Sequence, residues 1–203
     1  MNNQKIDSRI KVKKIEDLID LPITVVVNKF DEIASKDFRK QFQDALNTGQ
    51  DVVPVIIDSY GGQAYSLLSM INIIKSSPVP VATIVSGKAM SCGAILFTCG
   101  AEGYRYIDPF ATLLIHDVSS CSCGKVEEIK ADAGEAERLN KMVYHLMAEN
   151  VGKPPNYFID LVHEKGHADW YLDANECIKH NLANHIRTPR FNINIDVNIS
   201  FGK

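Results

Sequence analysis

Four short apolar runs, ITVVVN (23–28), VPVII (53–57), VPVATIVS (79–86) and TLLIH (112–116), recur between segments of helical periodicity. Each is rich in β-branched residues and lacks the polar alternation of a half-exposed strand, so each reads as a strand buried on both faces. Between the first two, Phe38, Phe42 and Leu46 fall at i, i+4 and i+8 and mark the inner stripe of a helix over 34–47, with Gly49 just past its end. A helix over about 63–75 places Leu67, Met70 and Ile74 on one face and stops at Ser-Ser-Pro. After strand 79–86 the spacing predicts a turn at Gly87 and an apolar helix over 91–99. Alternation of this kind builds parallel βαβ units, an α/β fold. Such sheets hold their sites at the carboxyl ends of strands, in the turns that lead into helices.

The pattern changes after residue 120. A polar helix from Cys121 toward Gly152 has a narrow apolar stripe of Ile129, Ala133, Ala136, Leu139, Val143 and Leu146, suited to a helix that projects and packs on a partner. A helix over about 155–164 follows. Then come a short Trp-Tyr-Leu strand, a helix capped by Asp173 with Glu176 at capping-box spacing, and a strand near 183–187. The tail FNINIDVNISF alternates strictly, the period of a half-buried strand that needs a partner.

With 203 residues, 45% of them apolar, the chain can bury a full core in one large domain, or in one domain with an appendage. Its net charge of −3, from 22 basic and 25 acidic residues, and the lack of a basic cluster argue against nucleic-acid binding. No run is long enough to span a bilayer and the N-terminus lacks the apolar segment of a secretory signal, so a cytoplasmic protein with no membrane contact is expected. The odd set of five cysteines, 92, 99, 121, 123 and 177, fits no disulfide framework and lacks the ligand spacing of a closed zinc site. No metal and no cofactor are expected. The absence of GxxxxGK[ST] assigns any use of ATP to a partner.

Four places could carry chemistry. Ser91, in Gly87-Lys-Ala-Met-Ser-Cys-Gly93, stands at a strand-to-helix junction and resembles a nucleophile elbow with alanine in the first glycine position. A serine there is also the ordinary N-cap of a helix. Asp58-Ser-Tyr-Gly-Gly62 ends the second strand, and its paired glycines allow the backbone to approach a ligand or to serve as a plain turn. His116 closes the strand TLLIH, at a strand end where an imidazole can enter a site at the sheet's edge as a general base. Asp169 could orient that imidazole, but Asp108, Asp117 and Asp173 compete on sequence alone.

Together these segments resemble the proteolytic subunit of the Clp protease, in the ClpP/crotonase fold class, from about residue 23 to residue 187. DSYGG is similar to the family's Asn-Ser-Pro-Gly-Gly turn. GKAMSCGAILFTCGAEGYRYIDPFATLLIH resembles its nucleophile-to-histidine stretch, and ADWYLDANECIKHNLANHI its final stretch. Tyr60 stands where the family has proline, and Asp117-Val118 where it has Gln-Pro.

The resemblance implies a spiral of βαβ units with a projecting handle helix. The chain then divides into a head (23–120 and 152–188) and the handle (121–151), with an N-terminal segment (1–22) and a strand-like tail (189–203) outside the resemblance. The resemblance also implies Ser91 as nucleophile, His116 as base, Asp169 as the third member, and the N–H groups of Gly62 and Cys92 as the oxyanion hole. It further implies heptameric rings stacked as a tetradecamer, fed with unfolded polypeptide by a Clp-type ATP-dependent unfoldase. A catalytically inactive ring subunit is the alternative. A crotonase-like acyl-CoA enzyme would share the fold but needs no Ser-His-Asp set.

Overall fold

The computed structural model describes residues 22–191. The segment 1–21 and most of the alternating tail lie outside the described residues. The buried apolar runs form a seven-stranded sheet of order β1-β2-β3-β4-β7, with β5 joined to β3 and β6 joined to β5. Its strands are β1 (Val25–Val27), β2 (Val53–Ser59), β3 (Val81–Met90), β4 (Arg105–Ile107), β5 (Thr112–Ile115), β6 (Trp170–Leu172) and β7 (His185–Ile186). All pairings are parallel except β5–β6. The protein is therefore mixed α/β with a parallel sheet, as the strand–helix alternation requires.

The helices are α1 (Glu32–Asn47), α2 (Ala64–Lys75), α3 (Cys92–Thr98), α4 (Val126–Asn150), α5 (Tyr157–Glu164) and α6 (Ala174–Lys179). Asp31 caps α1 by accepting from the Ala34 N–H at 2.7 Å, which starts the helix ahead of the expected position. Phe38 and Phe42 are buried and stacked with ring centroids 5.8 Å apart. The capping box of α6 is present: Asp173 accepts from the Glu176 N–H at 2.9 Å, and Glu176 from the Asp173 N–H at 3.0 Å.

Three expectations change. The turn expected at Gly87 is a continuation of β3 to Met90. The strand changes neighbour there: residues 83–85 pair with β4, and residues 88–90 with β5. Gly87 suits this fork because a Cβ on it would lie 3.0 Å from Asp58 Oδ1. Second, α4 begins at Val126, and its residues 126–134 are exposed, the first contact from the head among the described residues being Tyr65 OH, which donates to Glu135 Oε1 at 2.7 Å. Val126 and Ile129 are exposed, whereas Leu139, Val143, Tyr144, Met147 and Ala148 are buried. Only the second half of the expected stripe docks on the core.

Third, β4 had no counterpart in the sequence reading, because Arg-Tyr-Ile opens with a charge. Arg105 is fully buried. Its guanidinium donates to the carbonyls of Leu182 (3.0 Å), Asn181 (3.2 Å) and Gly100 (3.3 Å), and to Glu102 Oε2 (3.2 Å). Arg105 thereby ties the loop before β7 to β4. Arg105→Leu leaves those carbonyls without donors and should lower the unfolding free energy by about 3 kcal/mol. Urea denaturation reads this as a shifted midpoint; an unmoved midpoint would show that the carbonyls find water instead.

Candidate active site

β3 runs directly into α3, and Ser91 is the one residue between them. Its backbone is at φ 54, ψ −118, a conformation that L-residues rarely adopt. Such a residue stores about 1–3 kcal/mol of strain and persists only where its surroundings hold it. They do: the Ser91 N–H donates to the Leu114 carbonyl at 2.9 Å, and its own carbonyl accepts from Ala94 (2.9 Å) and Ile95 (3.3 Å). The side chain makes no cap bond to α3. The hydroxyl is therefore not occupied with the helix-capping duty that a serine at such a junction usually performs.

The glycine turn after β2 lies against this residue. Gly61 and Gly62 have φ of +103 and +149, conformations open in practice only to glycine. A Cβ on Gly61 would sit 2.8 Å from Ser91 Cβ and 3.3 Å from Ser91 Oγ, so the turn can pass the hydroxyl only as bare backbone. Gln63 N–H donates to the Phe30 carbonyl at 2.8 Å and locks the turn to the segment after β1. Cys92 Sγ donates to the Gly62 carbonyl at 3.3 Å, which joins the turn to the start of α3. The Gly62 N–H takes no part in the backbone bonding of the turn. The Cys92 N–H, first in its helix, has no intrahelical acceptor.

Burial pushes the Cys92 thiol up, and it pushes Cys99 to about 11 and Cys177 to about 12. A thiol held protonated is a poor nucleophile, so Cys92 does not rival the neighbouring serine. At neutral pH iodoacetamide should alkylate the exposed Cys121 and Cys123 and spare Cys92, Cys99 and Cys177 until the protein is denatured. Peptide mapping would show this, and rapid native labelling of Cys92 would reverse the ranking of the two side chains.

His116 is the first residue past β5, and Asp169 the last before β6. In the antiparallel register Ile115 opposes Trp170, so the next pair outward is His116 and Asp169. Met90 lies level with Leu114 in the parallel register of β3 and β5. Hydroxyl, imidazole and carboxylate thus stand at one end of three adjacent strands. His116 is half-buried and Asp169 exposed. Among the described hydrogen bonds none joins Ser91 to His116 or His116 to Asp169.

The three competing carboxylates are engaged elsewhere. Asp108 accepts from Thr188 Oγ1 at 2.7 Å, and Asp173 caps α6. Asp117 accepts from Asn140 Nδ2 (2.9 Å) and Tyr144 OH (3.1 Å) and pairs with His167 Nδ1 (2.7 Å). Sequence reading passed over His167. The available signal was its position, two residues before Asp169, matched to a carboxylate directly after His116. Another unforeseen cluster edges the glycine turn. Lys88 Nζ bonds Asp58 Oδ1 at 2.7 Å and lies 4.4 Å from the centre of the Tyr60 ring, so a cation meets the face of the aromatic residue in the turn.

With this geometry in place the comparison with known families is decisive: the Clp protease family model matches residues 9–190, most of the chain. The chain belongs to the Clp protease family. Membership in the Clp protease family implies a ClpP-like peptidase, and the mixed α/β architecture with its parallel sheet agrees with a Clp protease-type fold. The matched span includes the glycine turn, the β3–α3 junction, the end of β5 and the start of β6, so every site segment of this Clp protease chain lies inside it. No helix among its described residues is long and apolar enough to cross a membrane.

Proposed function

We propose that the protein is a serine endopeptidase subunit of a self-compartmentalised, ClpP-like protease, with Ser91 as nucleophile, His116 as general base and Asp169 as the group that orients the base. The observation that carries this reading is the strained backbone of Ser91, whose hydroxyl forgoes helix capping beside a turn that only glycine can make. Ser91 Oγ attacks the peptide carbonyl while His116 takes its proton. The oxyanion receives the N–H groups of Gly62 and Cys92. His116 returns the proton to the leaving amine, and water later releases the acyl-enzyme by the same route. Asp169 is the one carboxylate of the four candidates that both faces His116 in the register and is free of other duty among the described residues.

The assembly belongs to the same proposal. The head (23–120 and 152–188) forms heptameric rings, and the 121–151 segment, whose exposed first half of α4 carries Val126 and Ile129, is the handle that stacks two rings into a tetradecamer. A Clp-type ATP-dependent unfoldase in the cytoplasm supplies unfolded polypeptide. A second reading, a catalytically inactive ring subunit, is favoured by the missing hydrogen bonds between the three side chains and by the exposure of Asp169.

A fluorophosphonate probe separates the two readings. Stoichiometric label on Ser91, located by peptide mapping, is the result expected for the peptidase. Assembled protein that takes no label would overturn it in favour of the inactive subunit. Native mass measurement on the same sample reads the ring number.

A further inference from the structure

We propose that Asp117 and His167 are positioning residues that hold the segment bearing Asp169 against the strand end bearing His116. The proposal rests on the reading of Ser91, His116 and Asp169 given above. The β5–β6 ladder stops at the pair Ile115–Trp170, so His116 and Asp169 lie one step beyond its last paired residues. Strand ends without further pairing splay, and two side chains that need contact within hydrogen-bond distance cannot depend on an unfastened end. Directly past that step, His167 Nδ1 meets Asp117 Oδ2 at 2.7 Å and closes the gap between the two segments.

Both ends of this clasp are themselves fixed. On one side Asn140 of α4 donates to Asp117 Oδ1 at 2.9 Å and accepts from the Val118 N–H at 2.9 Å, and Tyr144 adds a third bond to the carboxylate. Burial alone would push the Asp117 carboxyl up, but the bonds from His167, Asn140 and Tyr144 outweigh it and hold the group below its ordinary range. It therefore stays an acceptor. On the other side His167 sits at φ 58, in the left-handed region where histidine is one of the few tolerated residues, after Gly166 at φ +69. Its N–H bonds the Val162 carbonyl at 3.0 Å, and its ring lies 4.2 Å from that of His163 on α5. A backbone held in that conformation aims the imidazole at Asp117 and leaves only Ala168 before Asp169. The position of the orienting carboxylate is thereby referred to α4 and α5, two helices packed on each other.

The test uses the full-length assembled protein, a fluorogenic peptide and the fluorophosphonate labelling rate. Asp117→Ala and His167→Ala should each lower kcat about tenfold to a hundredfold with KM little changed, since a displaced orienting group costs rate and not substrate binding. His167→Asn keeps a donor close to the Nδ1 position and tolerates the left-handed backbone, so it should restore most of the rate. The deciding measurement is a double-mutant cycle with Asp169→Ala. In that background Asp117→Ala should change the rate by no more than about twofold, because the group being positioned is gone. An equal loss in both backgrounds would overturn the proposal and leave a general structural role. Asp117→Ala acts from the opposite side of the clasp, so a folding defect of His167→Ala cannot decide the matter alone. Parent protein that neither turns over peptide nor labels at Ser91 removes the peptidase reading, and this inference with it; a labelled, active parent with additive variants removes only the inference.

Discussion

Replacement of Ser91 by alanine should abolish peptide hydrolysis, by a factor on the order of 10⁴ or more, while the fold and the assembly stay intact. The two halves of that expectation have separate physical grounds. Loss of the hydroxyl removes the only atom at the β3–α3 junction that can form the acyl bond, and the adjacent Cys92 thiol, kept protonated by burial and directed to the Gly62 carbonyl, cannot take over. Stability should change by no more than about 0.5 kcal/mol, because the hydroxyl makes no cap bond and alanine carries the same Cβ into the same strained backbone. Turnover of a fluorogenic peptide and thermal unfolding of the same preparation check both halves. Residual hydrolysis above about one per cent of parent would place the nucleophile elsewhere.

The second large effect is expected at Gly62. A Cβ there would lie 2.3 Å from the Phe30 carbonyl oxygen and 3.0 Å from the carbonyl carbon, at a φ of +149. The obstacle is backbone, itself bonded to the Gln63 N–H, so it cannot swing aside as a side-chain tip would. Gly62→Ala must rebuild the turn or break the Phe30–Gly62 bridge, with an expected loss of about 4 kcal/mol of stability. Even a folded fraction would have its Gly62 N–H re-aimed, and on the proposed assignment that group is an oxyanion donor, worth about 3 kcal/mol of transition-state energy. Active-site titration separates the two terms: the labelled fraction reports folding, and the rate per labelled site reports the donor. A Gly62→Ala variant with the melting temperature and the rate of the parent would exclude the close approach. Gly103→Ala is the control, since a Cβ there meets nothing within 4 Å and the strain at φ +81 acts alone.

Much of the architecture was readable because its central strands β2, β3 and β5 are largely buried on both faces, whereas β1, expected to be buried likewise, leaves Val26 exposed on one face. ITVVVN, VPVII and TLLIH needed no partner information to be recognised, and Asp173 with Glu176 announced α6 by a purely local rule. What escaped has a common cause: information that lives between segments. Arg105 opens a strand only because carbonyls from Gly100, Asn181 and Leu182 gather around its guanidinium, the last two from far along the chain. Gly87 reads as a turn in isolation, yet here it continues a strand that changes neighbours. The choice among four aspartates could not be made along the chain, since the features that distinguish them are a threonine at 188, a helix cap at 173 and an asparagine, a tyrosine and a histidine around 117. The site segments themselves were legible as segments, and the likeness to a known family, not spacing, linked them into one reading.

The fork in β3 has a bearing on how activity can be tuned. Ser91 follows a rung shared by Met90 and Leu114, and side chains on a strand alternate between its two faces. A slip of β5 by one residue would send the imidazole to the far side of the sheet, and a slip of two would carry it about 6–7 Å along the strand axis. Neither leaves a slightly weaker enzyme. On the proposed assignment, alignment of hydroxyl and imidazole is set in discrete steps by the backbone register, and graded activity in variants comes from side-chain rotamers, from the glycine turn and from the loop before β6.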